Sequence, residues 1–290
     1  MATSPKKPAA KPAGKPSVGA RWSPQLRGWG QRLLRWALRL SLGLFLFSFV
    51  QVASARWVTP LFTLTMVDQI FEQHDETGKW ALPRYRRADL DELGPHLPRM
   101  AVASEDGWFW HHDGFDWHAI VGALESNREG GSLRGGSTIS QQVARNVFLW
   151  QERSWLRKGL ETYYTFLLEL LVPKERILEL YLNVAEMGPL TFGGEAAAQR
   201  WYKKSAKALT EDEAARIIAV LPAPRSRDPR SGEMGKRARR IRDHKVPFPG
   251  DKGFEEMGEE MPRLLAREEE RGEDDDQEEA VDLSRRGTPS

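Results

Sequence analysis

The segment from Leu40 to Ala55 constrains this chain most, because its sixteen residues carry no charge. Sixteen helical residues span only about 24 Å, less than the ~30 Å hydrocarbon core of a bilayer. Extended to 36–58, with a tryptophan and an arginine towards each end, the helix reaches about 34 Å. A buried core helix is the alternative, but no polar stripe interrupts Leu42 to Val50. We therefore predict one transmembrane helix at 36–58.

The charge around this helix is one-sided. Nine lysines and arginines and no acids precede Leu40, and positive residues favour the cytoplasmic side of a membrane. The N-terminus is thus expected in the cytoplasm, and the chain beyond about Val58 outside. Ala53-Ser54-Ala55 resembles a signal-peptidase site, but the long basic lead and the unbroken apolar run favour a retained anchor.

Composition divides the chain into four regions. Residues 1–35 are rich in Lys, Pro, Ala and Gly and are expected to form a disordered cytoplasmic head before the anchor at 36–58. Residues 59–230 carry helical apolar patterns and few strand-like alternations, which predicts a mainly α fold. Residues 231–290 turn first basic and then acidic, and we expect little fixed structure there. The absence of cysteine excludes disulfides and thiolate metal sites.

Several helices of the 59–230 region carry clear boundary signals. Thr138 and Gln141 fit a capping box at a helix start. The apolar spacing from Trp155 to Leu171 predicts a long amphipathic helix. Pro173 suits the beginning of the helix that follows.

A first polar cluster begins at Glu105 and Asp106, between an apolar stretch and a run of aromatic residues. A carboxylate held against aromatic side chains has a raised pKa, which suits a general base near neutral pH. An exposed acid at a helix end is the alternative. His112 and Asp116 fit a hydrogen-bonded structural pair, and the spacing around His112 does not favour a metal site.

A second cluster runs from Gly136 to Asn146. A Ser-Thr pair and two glutamines at a helix start place backbone N–H groups at the positive end of the helix dipole, which is a natural anion site. Gln142, Arg145 and Asn146 then share one helix face. Simple helix capping explains the same residues equally well, and both interpretations stay open here.

The third cluster is Arg157, Lys158 and Glu161. Arg157 and Glu161 are four residues apart and face the same way on a helix, so a surface salt bridge is the plain interpretation. With the other two clusters, however, they give two acids separated by a basic, amide-rich helix start. Such an arrangement suits the transfer of a sugar from an anionic leaving group.

Together these clusters resemble the peptidoglycan glycosyltransferase family, most closely its monofunctional, membrane-anchored biosynthetic transglycosylases. The family motif ED-x-x-F-x-x-H-x-G-x-D spans Glu105 to Asp116, and G-x-S-T-x-[ST]-Q-Q-x-x-K-N spans Gly135 to Asn146. R-K-x-x-E spans Arg157 to Glu161, and K-x-x-I-L-E-x-Y-L-N spans Lys174 to Asn183. The lysine of the second motif is Arg145 here, which keeps the charge but replaces a compact ammonium by a planar fork.

The resemblance implies a mainly α, lysozyme-like, two-lobed glycosyltransferase domain behind a single transmembrane helix. It places the protein in the bacterial cytoplasmic (inner) membrane with the catalytic domain on the periplasmic face. The implied reaction polymerises lipid II into β-1,4-linked glycan strands with inversion and releases undecaprenyl pyrophosphate. The implied partners are lipid II, the growing lipid-linked glycan, the membrane and other proteins of cell-wall synthesis and division, with no nucleic acid. The resemblance allows a divalent cation, Mg²⁺ or Mn²⁺, without naming its ligands.

By the same resemblance, Glu105 is the general base that takes the proton from the acceptor hydroxyl. Glu161 is the second family carboxylate, near the departing pyrophosphate. The residues that the resemblance assigns to substrate binding are Asp106, Phe109, His112, Asp116, Ser137, Thr138, Gln141, Gln142, Arg145, Asn146, Arg153, Arg157, Lys158, Glu179 and Asn183.

Two other functions fit parts of the sequence. A muramidase-like hydrolase also uses a glutamate on a helical fold, but it has no need of an anchor or of basic residues for a pyrophosphate. A membrane-anchored, non-catalytic cell-wall scaffold would have no reason to hold the intact set of polar residues at all three clusters.

Overall fold

The computed structural model describes residues 24–117, 136–152 and 154–260. Within these ranges the chain is mainly α-helical, as predicted, with nine α-helices between Pro24 and Asp243 and three very short strands. The helices are α1 Pro24–Ala55, α2 Leu64–Thr77, α3 His96–Glu105, α4 Ile139–Phe148, α5 Trp155–Leu171, α6 Lys174–Val184, α7 Gly194–Tyr202, α8 Glu211–Ala219 and α9 Gly232–Asp243. The strands are β1 Arg84–Tyr85, β2 Glu186–Gly188 and β3 Thr191–Phe192.

Helix α1 is longer than the sequence predicted. It begins at Pro24 rather than at residue 36, because proline suits the first turn of a helix and the helix-forming run through Leu33 and Leu34 continues straight into the apolar segment. The expectation of disorder is therefore wrong for 24–35, while 1–23 lie outside the described residues. Gln31–Ala55 is long and apolar enough to cross a membrane by its length and composition.

Helix α2 follows the anchor after a short connection. The side chain of Thr63 accepts a hydrogen bond from the Met66 N–H at its start, and Gly78, with φ at 68°, ends it in a left-handed conformation.

The helices around the candidate site share one apolar core. Helix α4 contributes Ile139 and Val143, and α6 contributes a fully buried face. Burial of each such side chain stabilises the fold by about 1.5–3 kcal/mol. The predicted boundaries of α5 and the start of α6 after Pro173 are confirmed. The buried apolar residues of α6 are Ile177, Leu178, Leu180, Tyr181, Leu182 and Val184.

The three strands form one small sheet in the order β1-β3-β2. Strand β1 is parallel to β3, with Arg84 opposite Thr191, and β2 is antiparallel to β3. The sheet thereby joins the segment before α3 to the segment between α6 and α7.

The C-terminal boundary predicted at residue 230 is wrong. Helix α9 begins after Ser231, whose side chain accepts from the Met234 N–H, and it packs on α8. Its apolar residues Met234, Ala238 and Ile241 are buried and recur at helical spacing among many charges. Residues 254–260 are helical as well. The rest of the predicted tail, 261–290, lies outside the described residues.

Candidate active site

The end of α3 and the start of α4 border a cavity of about 430 Å³. Five residues predicted from the sequence meet in its wall. They are Glu105, Asp106, Asp116, Ser137 and Thr138. The first two motifs therefore come together in space, although 118–135 between them lie outside the described residues.

Asp106 joins the two motifs. Its carboxylate accepts the backbone N–H of Ile139, at 2.8 Å, and a ring N–H of His112, at 2.9 Å from Nε2. The backbone N–H of Gly114 donates to His112 Nδ1, so Nε2 is the nitrogen that carries the proton. Asp106 is 5% exposed, and its negative charge lies at the positive end of the α4 dipole. It holds the end of α3 against the start of α4.

The start of α4 is a complete capping box. The Thr138 hydroxyl accepts the Gln141 N–H, and the Gln141 side chain accepts the Thr138 N–H. The same hydroxyl donates to the carbonyl of Gly114. Because Asp106 and Thr138 already use the N–H groups of Ile139 and Gln141, the structure favours capping over anion binding for these two groups.

Glu105 is the last residue of α3 and lies in the cavity wall beside Asp106. Gln142 Nε2 donates to its Oε2 at 3.3 Å, and the Ser104 hydroxyl donates to its Oε1 at 3.1 Å. Burial raises the pKa of Glu105, and the charge of Asp106 adds to this, while the two hydrogen bonds and the positive charge of Arg237 oppose it. The raised pKa has the direction that the sequence predicted.

Helix α9 and the residue after it supply two neighbours of Glu105 that the sequence analysis missed. Arg237 is close enough to influence the pKa of Glu105. His244 lines the cavity, and its Nδ1 donates to the carbonyl of Ala103 at 2.7 Å. The apolar spacing of Met234, Ala238 and Ile241 was the signal that could have placed this helix in the domain.

Tyr181 on α6 is a third residue whose place at the site was missed. It is 1% exposed, and its buried hydroxyl has no hydrogen-bond partner within the described part of the chain. Burial raises its pKa well above the ordinary value, the charge of Glu105 raises it further and that of Arg145 opposes this. Tyr181 is thus close enough to Glu105 and Arg145 for their charges to act on its hydroxyl, whereas its helical spacing in the sequence indicated only a core position.

The third motif forms a buried ion cluster on α5. Glu161 is 1% exposed and accepts from Arg157 Nη1 at 2.8 Å and from Lys158 Nζ at 2.6 Å. The prediction that Arg157 and Glu161 share a helix face is confirmed, but the pair is not a surface salt bridge. The Lys158 side chain is 46% exposed, so its ammonium retains access to solvent and to a ligand.

A glycine links this cluster to the loop of the first motif. Gly114 has φ at +89°, and a Cβ at this position would lie 2.8 Å from the side chain of Thr165. Thr165 is one turn beyond Glu161 and donates to its carbonyl. Only glycine therefore lets the loop held by His112 pack this closely on α5.

Three residues predicted to bind substrate have structural contacts instead. Phe109 is fully buried, and the Lys174 ammonium lies 4.6 Å from its ring centre. Glu179 accepts the Leu90 N–H, and Asn183 exchanges hydrogen bonds with the backbone of Ala88. These contacts fix the segment before α3, and none of the three lines the cavity.

The remaining predicted residues have mixed positions. Arg145 Nε lies 3.5 Å from the side-chain oxygen of its neighbour Asn146, on the half-buried part of α4. Arg153 lies outside the described residues.

Across 24–117, 136–152 and 154–260 no three His, Asp or Glu side chains are grouped to hold a metal ion, so we assign no residue to a cation.

Comparison with known proteins places the chain in a class. A family model described as transglycosylase matches residues 75–245. The biosynthetic peptidoglycan transglycosylase of Xanthomonas campestris pv. campestris (strain B100) is 48% identical over 200 residues, which is 69% of this chain and 81% of that protein. The protein of the same name from Xylella fastidiosa (strain 9a5c) is 48% identical over 197 residues, 68% of this chain and 79% of that protein.

The chain therefore belongs to the transglycosylase family, as its motifs predicted. It is a glycosyltransferase of peptidoglycan biosynthesis. The matched region ends at residue 245, which agrees with the inclusion of α9 and His244 in the domain.

Proposed function

We propose that the enzyme polymerises lipid II into β-1,4-linked glycan strands and releases undecaprenyl pyrophosphate. The observation that carries this proposal is the environment of Glu105. Its carboxylate opens into the 430 Å³ cavity, is held by Gln142 and Ser104, and has a pKa raised by burial. A carboxylate that is held in place and has a raised pKa is suited to take a proton near neutral pH.

In the proposed reaction Glu105 takes the proton of the 4-hydroxyl of the acceptor sugar. The oxygen freed of this proton attacks C1 of the donor sugar, and the bond from C1 to the pyrophosphate oxygen breaks with its electron pair on the pyrophosphate. One direct displacement of an α-linked leaving group inverts the anomeric carbon and gives a β bond. No covalent intermediate with the enzyme is formed.

The pyrophosphate that leaves needs positive charge, and we assign this role to Arg145 and to the cluster of Arg157, Lys158 and Glu161. Glu161 fixes the two cations on one face of α5, so that little reorganisation is required when negative charge grows on the leaving group. Lys158, whose side chain is half-exposed, is the member best placed to reach the phosphate. We propose the same role, neutralising the charge of the pyrophosphate, for Arg153.

We further propose that α1 holds the enzyme in the bacterial inner membrane, with the N-terminus in the cytoplasm and the catalytic domain outside. This orientation is supported by the excess of Lys and Arg before Leu40. It places the cavity on the side of the membrane where glycan strands are assembled, and the lipid chains of donor and acceptor remain in the bilayer.

The deciding experiment offers two substrates to the full chain in detergent micelles. Purified lipid II should give a glycan polymer that muramidase digests, together with undecaprenyl pyrophosphate. Finished, lipid-free glycan strands should remain intact. Cleavage of the strands without polymer formation from lipid II would instead identify a hydrolase, and the absence of both activities in the folded protein would favour a scaffold.

A further inference from the structure

A second, basic cavity lies away from Glu105, between β1 and α7. Its volume is about 330 Å³, and none of its lining residues also lines the Glu105 cavity. Four of the seven lining residues are cations, and no acid is among them. The four are Arg84, Arg86, Arg200 and Lys203.

The positive charge of this cavity is poorly compensated by the protein. Arg200 donates to neutral oxygens, those of Pro189 and Thr191. Burial lowers the pKa of Arg200, and the charges of Arg84 and Arg230 lower it further. The nearby acid, Asp228, forms an ion pair with Arg230, with 2.7 Å between Asp228 Oδ2 and Arg230 Nη2. An anion in this cavity would relieve the repulsion between the arginines.

One lining residue contacts the segment that follows α1, and several residues next to these segments in the sequence are apolar and exposed. The hydroxyl of Tyr85, another lining residue, donates to the carbonyl of Pro60 at 2.8 Å. Pro60 lies in the connection between α1 and α2, and the next two residues, Leu61 and Phe62, are 73% and 59% exposed. Leu82, two residues before Arg84, is 80% exposed.

We propose that this cavity binds the phosphate of an anionic membrane phospholipid. A cluster of cations, on segments that also carry exposed apolar side chains, combines the two attractions that hold a protein to a lipid headgroup, namely charge and apolar burial. A small soluble anion would use the cations alone and would leave Leu61, Phe62 and Leu82 without a role. The bound lipid would fasten β1 and α7 to the membrane next to the end of α1, and this role does not depend on the proposed polymerase reaction.

The test is a calorimetric titration of the full chain in neutral detergent with three probes, each at the same concentration. The probes are dihexanoyl phosphatidylglycerol, dihexanoyl phosphatidylcholine and inorganic phosphate. Saturable binding of phosphatidylglycerol alone is expected. Equal binding of phosphatidylcholine, or binding of inorganic phosphate as tight as that of phosphatidylglycerol, would overturn the proposal.

The pocket variant is Arg84→Gln/Arg86→Gln/Lys203→Gln, which leaves the side-chain hydrogen bonds of Arg200 to Pro189 and Thr191 in place. Its affinity for phosphatidylglycerol should fall at least about tenfold, because three of the four cations that attract the phosphate are removed. The matched control, Lys207→Gln/Lys236→Gln/Arg239→Gln, removes three exposed charges elsewhere and should bind as the unmodified chain does. If the triple variant does not fold, the same titration is made with the single substitution Arg86→Gln. An unchanged affinity for phosphatidylglycerol in a folded pocket variant would refute the site.

Discussion

Gln142 Nε2 lies 3.3 Å from Glu105 Oε2, and this hydrogen bond joins two helices whose residues are 37 positions apart in the sequence. It brings the amide of the second family motif onto the carboxylate of the first. A hydrogen bond that favours the ionised carboxylate lowers its pKa, whereas burial of Glu105 raises it. The reactivity of Glu105 at a given pH therefore depends on a residue that does not itself transfer the proton.

Gln142→Leu should move the acidic limb of the kcat/KM profile to higher pH. Glu105 must be ionised to act as a base. Because loss of the amide donor raises its pKa further, a larger fraction of the enzyme has a protonated Glu105 at any pH below neutrality. The measurement is a pH–rate profile with lipid II. Gln73→Leu, at an amide that donates to the Thr77 hydroxyl near the end of α2, is the control and should leave the limb in place. A limb that moves to lower pH would refute this relation.

Arg237→Met should shift the same limb in the same direction, because the positive charge of Arg237 lowers the pKa of Glu105. The expected shift is smaller than for Gln142→Leu, since the charge acts over a longer distance than a hydrogen bond. Arg239, two residues on and exposed, provides the matched variant Arg239→Met, which should have no effect. Identical profiles for all three proteins would show that α9 does not influence the base.

Asp106→Ala should lower the free energy of unfolding by about 1–3 kcal/mol, because it leaves the buried Ile139 N–H and the His112 ring N–H without their acceptor. Denaturant unfolding measures the effect. Asp113 is exposed in the same loop, and Asp113→Ala should change stability by less than about 0.5 kcal/mol. Equal stability of the two variants would contradict the bridging role of Asp106.

Glu161→Gln should cost about 3 kcal/mol of stability and most of the polymerase activity. The substitution keeps the shape of the side chain but leaves Arg157 and Lys158 without their counter-charge. The expected loss of stability is at the lower end of the range for a broken buried ion pair, because Lys158 is half-exposed. Thermal unfolding and lipid II turnover are measured together. The control is Glu175→Gln, on the exposed side of α6, and it should match the unmodified enzyme in both stability and turnover. Full activity of Glu161→Gln would exclude a catalytic role for the cluster.

Local signals in the sequence predicted much of the fold. The capping box at Thr138 and Gln141, the helix Trp155–Leu171 and the start of α6 after Pro173 all depend on neighbours within one or two turns. The motifs also predicted that Glu105 and Gln142 belong to one site. Such features are visible in a sequence because the interacting residues are close along the chain or belong to a recognised motif.

The features that the sequence did not predict depend on contacts between segments that are distant along the chain. The high charge of α9 concealed its three apolar positions, so its place on α8 and the approach of Arg237 and His244 to the cavity were not predicted. Phe109, Glu179 and Asn183 belong to motifs, but a motif does not show whether a side chain points into a cavity or into the core. The burial of Glu161 was likewise hidden, since an i, i+4 pair has the same spacing on an exposed and on a buried helix face.

The central claim is that Glu105 is the base, and the substitution Glu105→Gln tests it. Because the pKa of Glu105 in the folded state is raised, the folded protein holds this proton to higher pH than the unfolded chain, and stability falls as pH rises through the interval between the two pKa values. Removal of the charge should therefore leave the melting temperature at neutral pH unchanged or higher.

The most direct measurement is the rate of lipid II polymerisation by Glu105→Gln enzyme whose melting temperature shows that it is folded. Loss of a general base predicts a rate about 10²–10⁴-fold below that of the unmodified enzyme, with Glu175→Gln as the matched control at full rate. A folded Glu105→Gln enzyme that polymerises lipid II at a near-normal rate would contradict the account.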